Sequence, residues 1–116
     1  MGKQVALVAF QGEAMCFVHV LLNAVDMHER GFDVKIVLEG SATKLAAELD
    51  DPNKPFGPLY QKVREMGLFD CVCRACANKM GVLAAIEDQG LPLCDELQGH
   101  PSLARYVEAG YQIITF

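Results

Sequence analysis

Apolar runs that alternate with helical stretches constrain the fold of this chain more than any other feature of the sequence. The run "VALVAF" at residues 5–10 is continuously apolar, as expected for a parallel strand that is covered on both faces. Four other short apolar runs, several of them rich in β-branched residues, are also predicted to be strands. They lie at residues 33–39, 68–73, 91–96 and 111–116.

Helical patterns fill the intervals between these strands, at residues 13–30, 41–49, 59–66, 74–80, 84–89 and 101–109. In the first helix, an apolar stripe is predicted with Met15, Val18, Leu22 and Val25 at its centre, widened by Ala14, Phe17 and Leu21. Strand–helix alternation favours right-handed crossovers and a parallel sheet between helical layers. We therefore predict an α/β fold: a single-domain, three-layer α/β/α structure with a mostly parallel sheet of about five strands, similar to flavodoxin. The proline-rich stretch at 50–58 is predicted to be a long surface loop.

Composition and charge exclude several classes of function. The chain has 116 residues and a formal net charge of -5, which argues against nucleic-acid or anionic-membrane binding. No run reaches the roughly 20 apolar residues of a membrane span, and the amino terminus lacks the features of a signal peptide. We therefore expect a cytoplasmic protein with reduced thiols.

Three of the five cysteines lie in the stretch "FDCVCRACANKMG" at residues 69–81. Cys73 ends a predicted strand, and Arg74 begins the next helix, so the Cys73 thiol is expected at the ligand-binding edge of the sheet. A helix amino terminus and a neighbouring arginine both lower the pKa of a thiol, so we expect a reactive thiolate at Cys73. Cys76 lies in the first helical turn, close to Cys73, and Cys71 lies one pleat deeper in the strand.

Other polar residues are expected at the same edge. His100 follows the fifth strand and precedes the last helix, and Glu13 and Glu39 each follow a strand. Each also has a simpler interpretation, as a loop histidine or as a solvated carboxylate. Neither glycine of "AFQGEA" and "LEGSAT" forms a nucleotide-binding fingerprint.

The cysteines leave two alternatives open. Cys71, Cys94 and Cys16 can be structural, because free cysteine is among the most buried residue types. The pattern C-x-C-x-x-C, with Cys94 and His100, can also supply the soft ligands of a zinc site. However, structural zinc sites usually have two separate C-x-x-C pairs, and this chain has one.

Taken together, these segments resemble the DsrE/DsrF-like family of small sulfur-transfer proteins over almost the whole chain, as one domain at residues 1–116. "VALVAF", a helix ending in "ERG", and "DVKIVLEG" resemble its opening β-α-β unit. "VCRACANKMG" resembles its strand-end cysteine motif, and "GYQIITF" resembles its closing strand. The resemblance implies a persulfide carried on Cys73. Cys76 matches a cysteine found in some members, and Cys71 has no counterpart.

We expect no cofactor, and the resemblance implies assembly into a homo-oligomer, a trimer or a hexamer. The expected partners are sulfur donor and acceptor proteins or small sulfane-sulfur species. Excess apolar surface also favours assembly, and we assign it to Phe17, Leu21 and His28 on the first helix, and to the helix after the 50–58 loop. The functional alternatives are a dithiol redox or zinc-binding protein and an interaction module with inert cysteines.

Overall fold

The computed structural model describes residues 2–116, and these residues form five β-strands and six α-helices. The strands are β1 Gln4–Ala9, β2 Asp33–Leu38, β3 Phe69–Cys73, β4 Leu93–Cys94 and β5 Gln112–Thr115. The helices are α1 Ala14–Glu29, α2 Thr43–Glu48, α3 Gly57–Glu65, α4 Arg74–Lys79, α5 Leu83–Asp88 and α6 Leu103–Glu108. A single 3-10 turn, Gly40–Ala42, precedes α2.

The described strands form one sheet in the order β4-β3-β2-β1-β5, and each neighbouring pair is parallel. This arrangement confirms the predicted α/β fold and parallel sheet. Successive strands step from β1 to β4 in one direction, and β5 then returns to the free side of β1. Crossovers between parallel strands are right-handed. Helices of connections that run in opposite directions along the sheet therefore lie on opposite faces of it.

The two faces of the sheet are covered unequally. Helices α1 to α5 pack on one face over a large core. Each of them contributes buried side chains to it, for example Phe17, Leu45, Tyr60, Ala77 and Ile86. Helix α6 lies on the other face, and its buried Tyr106 packs edge-on against Tyr111. This second layer is a single helix of six residues.

The predicted centre of the buried face of α1 is wrong, and the residues predicted at its margin lie in the core instead. Met15 and Leu22 are 75% and 52% exposed, whereas Phe17 and Leu21 are completely or almost completely buried. The helix is apolar around most of its circumference, so periodicity alone does not select the face that meets the sheet. Phe17 and Leu21 therefore belong to the core and are not available to an interface.

The 50–58 loop is shorter than predicted, because Gly57 and Pro58 already belong to the first turn of α3. Proline is compatible with that turn since its missing N–H has no partner there. Tyr60 and Val63, two residues of the α3 surface that was expected to meet another copy, are fully buried within the monomer. No helix in residues 2–116 combines the length and apolar character that crossing a bilayer requires.

Candidate functional site

Cys73 lies at the junction between β3 and α4, as the sequence predicts. It is the last residue of β3 and the amino-terminal cap of α4. Its sulfur accepts a hydrogen bond from the Cys76 backbone N–H at 3.4 Å. The strand end and the first helical turn therefore hold the two cysteines next to each other.

The expected exposure of the Cys73 thiol is wrong. The side chain has no solvent-accessible surface. Burial raises the pKa of the Cys73 thiol to about 12, and the hydrogen bond from the Cys76 N–H opposes this effect only in part. Removing water from around an anion outweighs one helix-end dipole, so the resting group is a neutral thiol.

His100 is in direct contact with both cysteines. Its Nδ1 atom lies 3.0 Å from the Cys73 sulfur and 3.8 Å from the Cys76 sulfur. The two sulfurs and a ring nitrogen of His100 all lie within 4.8 Å of one another. Cys76 is only partly buried, so this group reaches the surface through Cys76 and through the exposed His100.

A tight turn holds His100 in this position. Leu97 and His100 exchange two backbone hydrogen bonds, at 2.8 and 3.0 Å, across the two residues Gln98 and Gly99. Both central residues have positive φ, 50° and 92°, as in the type I′ turns that join hairpin strands. The Ala75 N–H donates to the Gly99 carbonyl at 2.9 Å, which fastens the turn to the start of α4.

Sequence reasoning did not single out Gly99. Its carbonyl also lies 3.6 Å from the Cys73 sulfur, so this glycine contacts the site directly. A Cβ atom at this position would lie only 3.0 Å from the Cβ of Ala75. The sequence signal that could have identified Gly99 is its place one residue before His100. Hydrophobic periodicity does not show that this turn packs against the start of α4.

Glu39 follows β2 and is almost completely buried, so it is not the solvated carboxylate of the simpler interpretation. Burial raises the pKa of its carboxyl, and the nearby His100 opposes that shift. Glu39 and His100 line one open cavity of about 710 Å³, whose walls include Phe10, Leu97 and Leu103. The histidine therefore contacts the two thiols on one side and borders a largely apolar cavity on the other.

Cys71 and Cys94 are bonded to each other, contrary to the expectation that all five cysteines are reduced thiols. They lie on the neighbouring strands β3 and β4, with their Cα atoms 5.7 Å apart. This pairing removes both from the set of possible ligands or carriers. The free cysteines among the described residues are Cys16, Cys73 and Cys76.

The remaining predicted residues lie at or beyond the margin of the site. Arg74 is exposed, and its Nε atom lies 3.5 Å from a carboxylate oxygen of Asp95, so it ties the 95–101 segment to α4. Glu13 is exposed just before α1, and Cys16 is exposed on α1 itself. Neither is part of the group formed by Cys73, Cys76 and His100.

Comparison with known proteins shows which family this arrangement belongs to. The model of the DsrE/DsrF-like family matches residues 1–116. The chain belongs to the DsrE/DsrF-like family. This family is linked in general to sulfur relay.

Several proteins are similar to this DsrE/DsrF-like chain. An uncharacterized protein of Methanocaldococcus jannaschii is 40% identical over 96 residues, which cover 83% of this chain and 76% of that protein. An uncharacterized protein of Archaeoglobus fulgidus is 37% identical over 43 residues, or 37% of this chain and 70% of that protein. A conserved protein of unknown function from Bacteroides thetaiotaomicron has the same fold, with a TM-score of 0.68 at 19% identity over 96% of this chain and 94% of that one.

Proposed function

We propose that this protein is a sulfur carrier that stores one sulfane sulfur as a persulfide on Cys73 and passes it to an acceptor thiol. The observation that carries the proposal is the contact between the Cys73 sulfur and His100 Nδ1, at 3.0 Å, with Cys76 beside them. Membership of a family linked to sulfur relay supports the same chemistry. The donor and acceptor are thiol proteins or small sulfane-sulfur species.

The two cysteines differ in solvent exposure, and we assign them different roles on that basis. Cys73 has no exposed surface, whereas Cys76 is only partly buried. An external thiol or polysulfide therefore reaches Cys76 first. We infer that Cys76 exchanges sulfur with the partner and that Cys73 holds the sulfur away from solvent.

The sulfur moves in two balanced steps. The Cys76 thiolate attacks the sulfane sulfur of the donor, the S–S bond of the donor breaks, and the donor leaves as a thiol. The Cys73 sulfur then attacks the outer sulfur of the Cys76 persulfide while its proton passes to His100 Nδ1. Cys76 leaves and recovers that proton. The sulfane sulfur brings its oxidation level from the donor, which is reduced to a thiol, so neither step needs a further oxidant or reductant.

Histidine suits this task because its ordinary pKa lies near neutrality, where it can both accept and return a proton. It compensates for the burial that keeps Cys73 protonated at rest. Delivery reverses the two steps, with an acceptor thiolate taking the outer sulfur from Cys76. The difference in accessibility supports the assignment of storage to Cys73 and of exchange to Cys76.

Intact-protein mass spectrometry tests the proposal. Reduced, chelator-treated protein is incubated with polysulfide, freed of small molecules and weighed. We expect a gain of one sulfur atom in the parent protein, much less retained sulfur in Cys73→Ser, and slow loading in Cys76→Ser. Cys16→Ser, which removes an exposed cysteine outside the site, is the matched control and should load like the parent.

Circular dichroism confirms that each variant is folded, since serine at position 73 places a hydroxyl in a buried position. A folded Cys73→Ser variant that retains as much sulfur as the parent contradicts the carrier role. A parent protein that forms only a Cys73–Cys76 disulfide and releases sulfide indicates a dithiol redox protein instead.

A further inference from the structure

We propose that Cys73, Cys76 and His100 also form a binding site for a thiophilic divalent cation, with zinc as the best match. The site goes beyond the carrier function, although it uses the same side chains. Its three ligand atoms, two sulfurs and one ring nitrogen, already lie within 4.8 Å of one another.

The distances are close to those that zinc requires. In a tetrahedral site with the usual Zn–S and Zn–N bond lengths, the ligand atoms are about 3.6–3.8 Å apart. His100 Nδ1 lies 3.8 Å from the Cys76 sulfur and 3.0 Å from the Cys73 sulfur. The sulfurs lie within 4.8 Å of each other, so shifts of up to about 1 Å in the ligand atoms complete the geometry.

The backbone holds the ligands in place before any metal arrives. Cys73 and Cys76 are separated by two residues at the start of α4, the spacing of the C-x-x-C pairs found in zinc sites. His100 is presented by the turn across Gln98 and Gly99, which is hydrogen-bonded to Ala75 in the same helical turn. Binding therefore needs little additional ordering of the chain.

The type of ligand selects the cation. Sulfur and imidazole ligands favour zinc and other borderline or soft metals, whereas magnesium and calcium require oxygen ligands. The group contains no carboxylate. Magnesium and calcium should therefore bind far more weakly than zinc.

Three protein ligands leave the fourth tetrahedral position to an external group, as in zinc sites that bind substrates. His100 borders the cavity of about 710 Å³, which gives a small ligand a route to the metal. Metal binding also occupies both sulfurs of the carrier. Zinc and sulfane sulfur should therefore exclude each other.

Calorimetric titration of the reduced, chelator-treated protein with Zn²⁺ tests this site. We expect one equivalent per chain, with an affinity at least about tenfold weaker in Cys76→Ser and in His100→Ala, since even outer-shell changes cost that much. Cys16→Ser should bind like the parent, because this exposed cysteine lies on α1. With Co²⁺ as the probe, the parent should show thiolate-to-metal charge-transfer absorption that Cys76→Ser weakens.

Two results would overturn the metal site: no zinc uptake by the parent, or equal affinity in the folded His100→Ala variant. Sulfur loading is measured separately in the presence of chelator, so the two proposals fail independently. Loading without zinc binding refutes only the metal site. Zinc binding without loading refutes only the carrier.

Discussion

Gly99 determines where the His100 ring lies relative to Cys73. Its φ of 92° is in the left-handed region, where a residue with a Cβ atom is strained by roughly 1–2 kcal/mol. Its carbonyl accepts the Ala75 N–H at 2.9 Å, and an added Cβ atom would press on Ala75. Substitution therefore strains the backbone and also pushes the turn away from α4.

We predict that Gly99→Ala lowers the free energy of unfolding by about 1–2 kcal/mol and strongly impairs sulfur loading. The matched control is Gly31→Ala, whose φ of 87° carries a similar backbone cost and whose added Cβ atom meets nothing within 4 Å. Urea unfolding and the loading assay are run on both variants. Equal loading in the two variants would show that this turn does not position His100.

The sequence predicted where Cys73 lies in the fold, at the end of a strand, but did not predict its burial. The apolar run and the following helix place the cysteine at the carboxyl end of β3, where open sheets bind ligands. Its burial depends on the 95–101 segment, which folds back so that Gly99 and His100 contact the sulfur. No periodicity indicates that contact, since it arises from a loop and from residues more than 20 positions apart.

At the level of elements, β4 is the weakest part of the sheet. It has only two residues, and it pairs with β3 through Val72–Leu93 and Cys73–Cys94. The bond between Cys71 and Cys94 supplements this pairing and closes a loop with a sequence separation of 23. In the chain-entropy model, a link of that length lowers the entropy of the unfolded chain and thereby stabilises the folded state by about 3 kcal/mol.

We predict that Cys71→Ala and Cys94→Ala each lower the free energy of unfolding by roughly 2–4 kcal/mol without reductant. The double variant should cost little more than either single variant, because the same link is lost only once. Cys16→Ala is the control and should leave stability unchanged. Additive costs, or five reactive thiols in the unfolded and unreduced parent, would show that the two cysteines are not bonded.

Helix α1 shows why elements were predicted better than their packing. Its limits, Ala14–Glu29, agree with the predicted 13–30. Its buried residues are Phe17, Val20, Leu21 and Ala24, so the buried face is centred on the margin of the predicted stripe rather than on its centre. Both stripes have helical spacing, and the choice between them depends on the direction from which β1 delivers the chain to the helix.

At the scale of the whole molecule, apolar side chains remain uncovered at several places. Met15 and Leu22 are exposed on α1, Phe10 and Leu97 are exposed beside the site, and Val107 is exposed on α6. The sheet face below α6 is covered by a single short helix. Where such side chains meet on the surface, they favour contact with another copy of the chain.

We predict a homo-oligomer, a trimer or a hexamer, in which some of this surface is buried. Light scattering at micromolar concentration measures the mass directly. The expected mass is three or six times the 12.7 kDa of one chain. A single species at 12.7 kDa would contradict the prediction.

The location of the retained sulfur tests the central claim most directly. Trypsin cleaves after Arg74, which lies between Cys73 and Cys76, so the two thiols leave on different peptides. After polysulfide loading and alkylation, we predict that the retained sulfur is found on the Cys73 peptide, and that tandem mass spectrometry assigns it to Cys73 rather than Cys71. Sulfur retained only at Cys76 or Cys16, or no retained sulfur at all, would contradict the account.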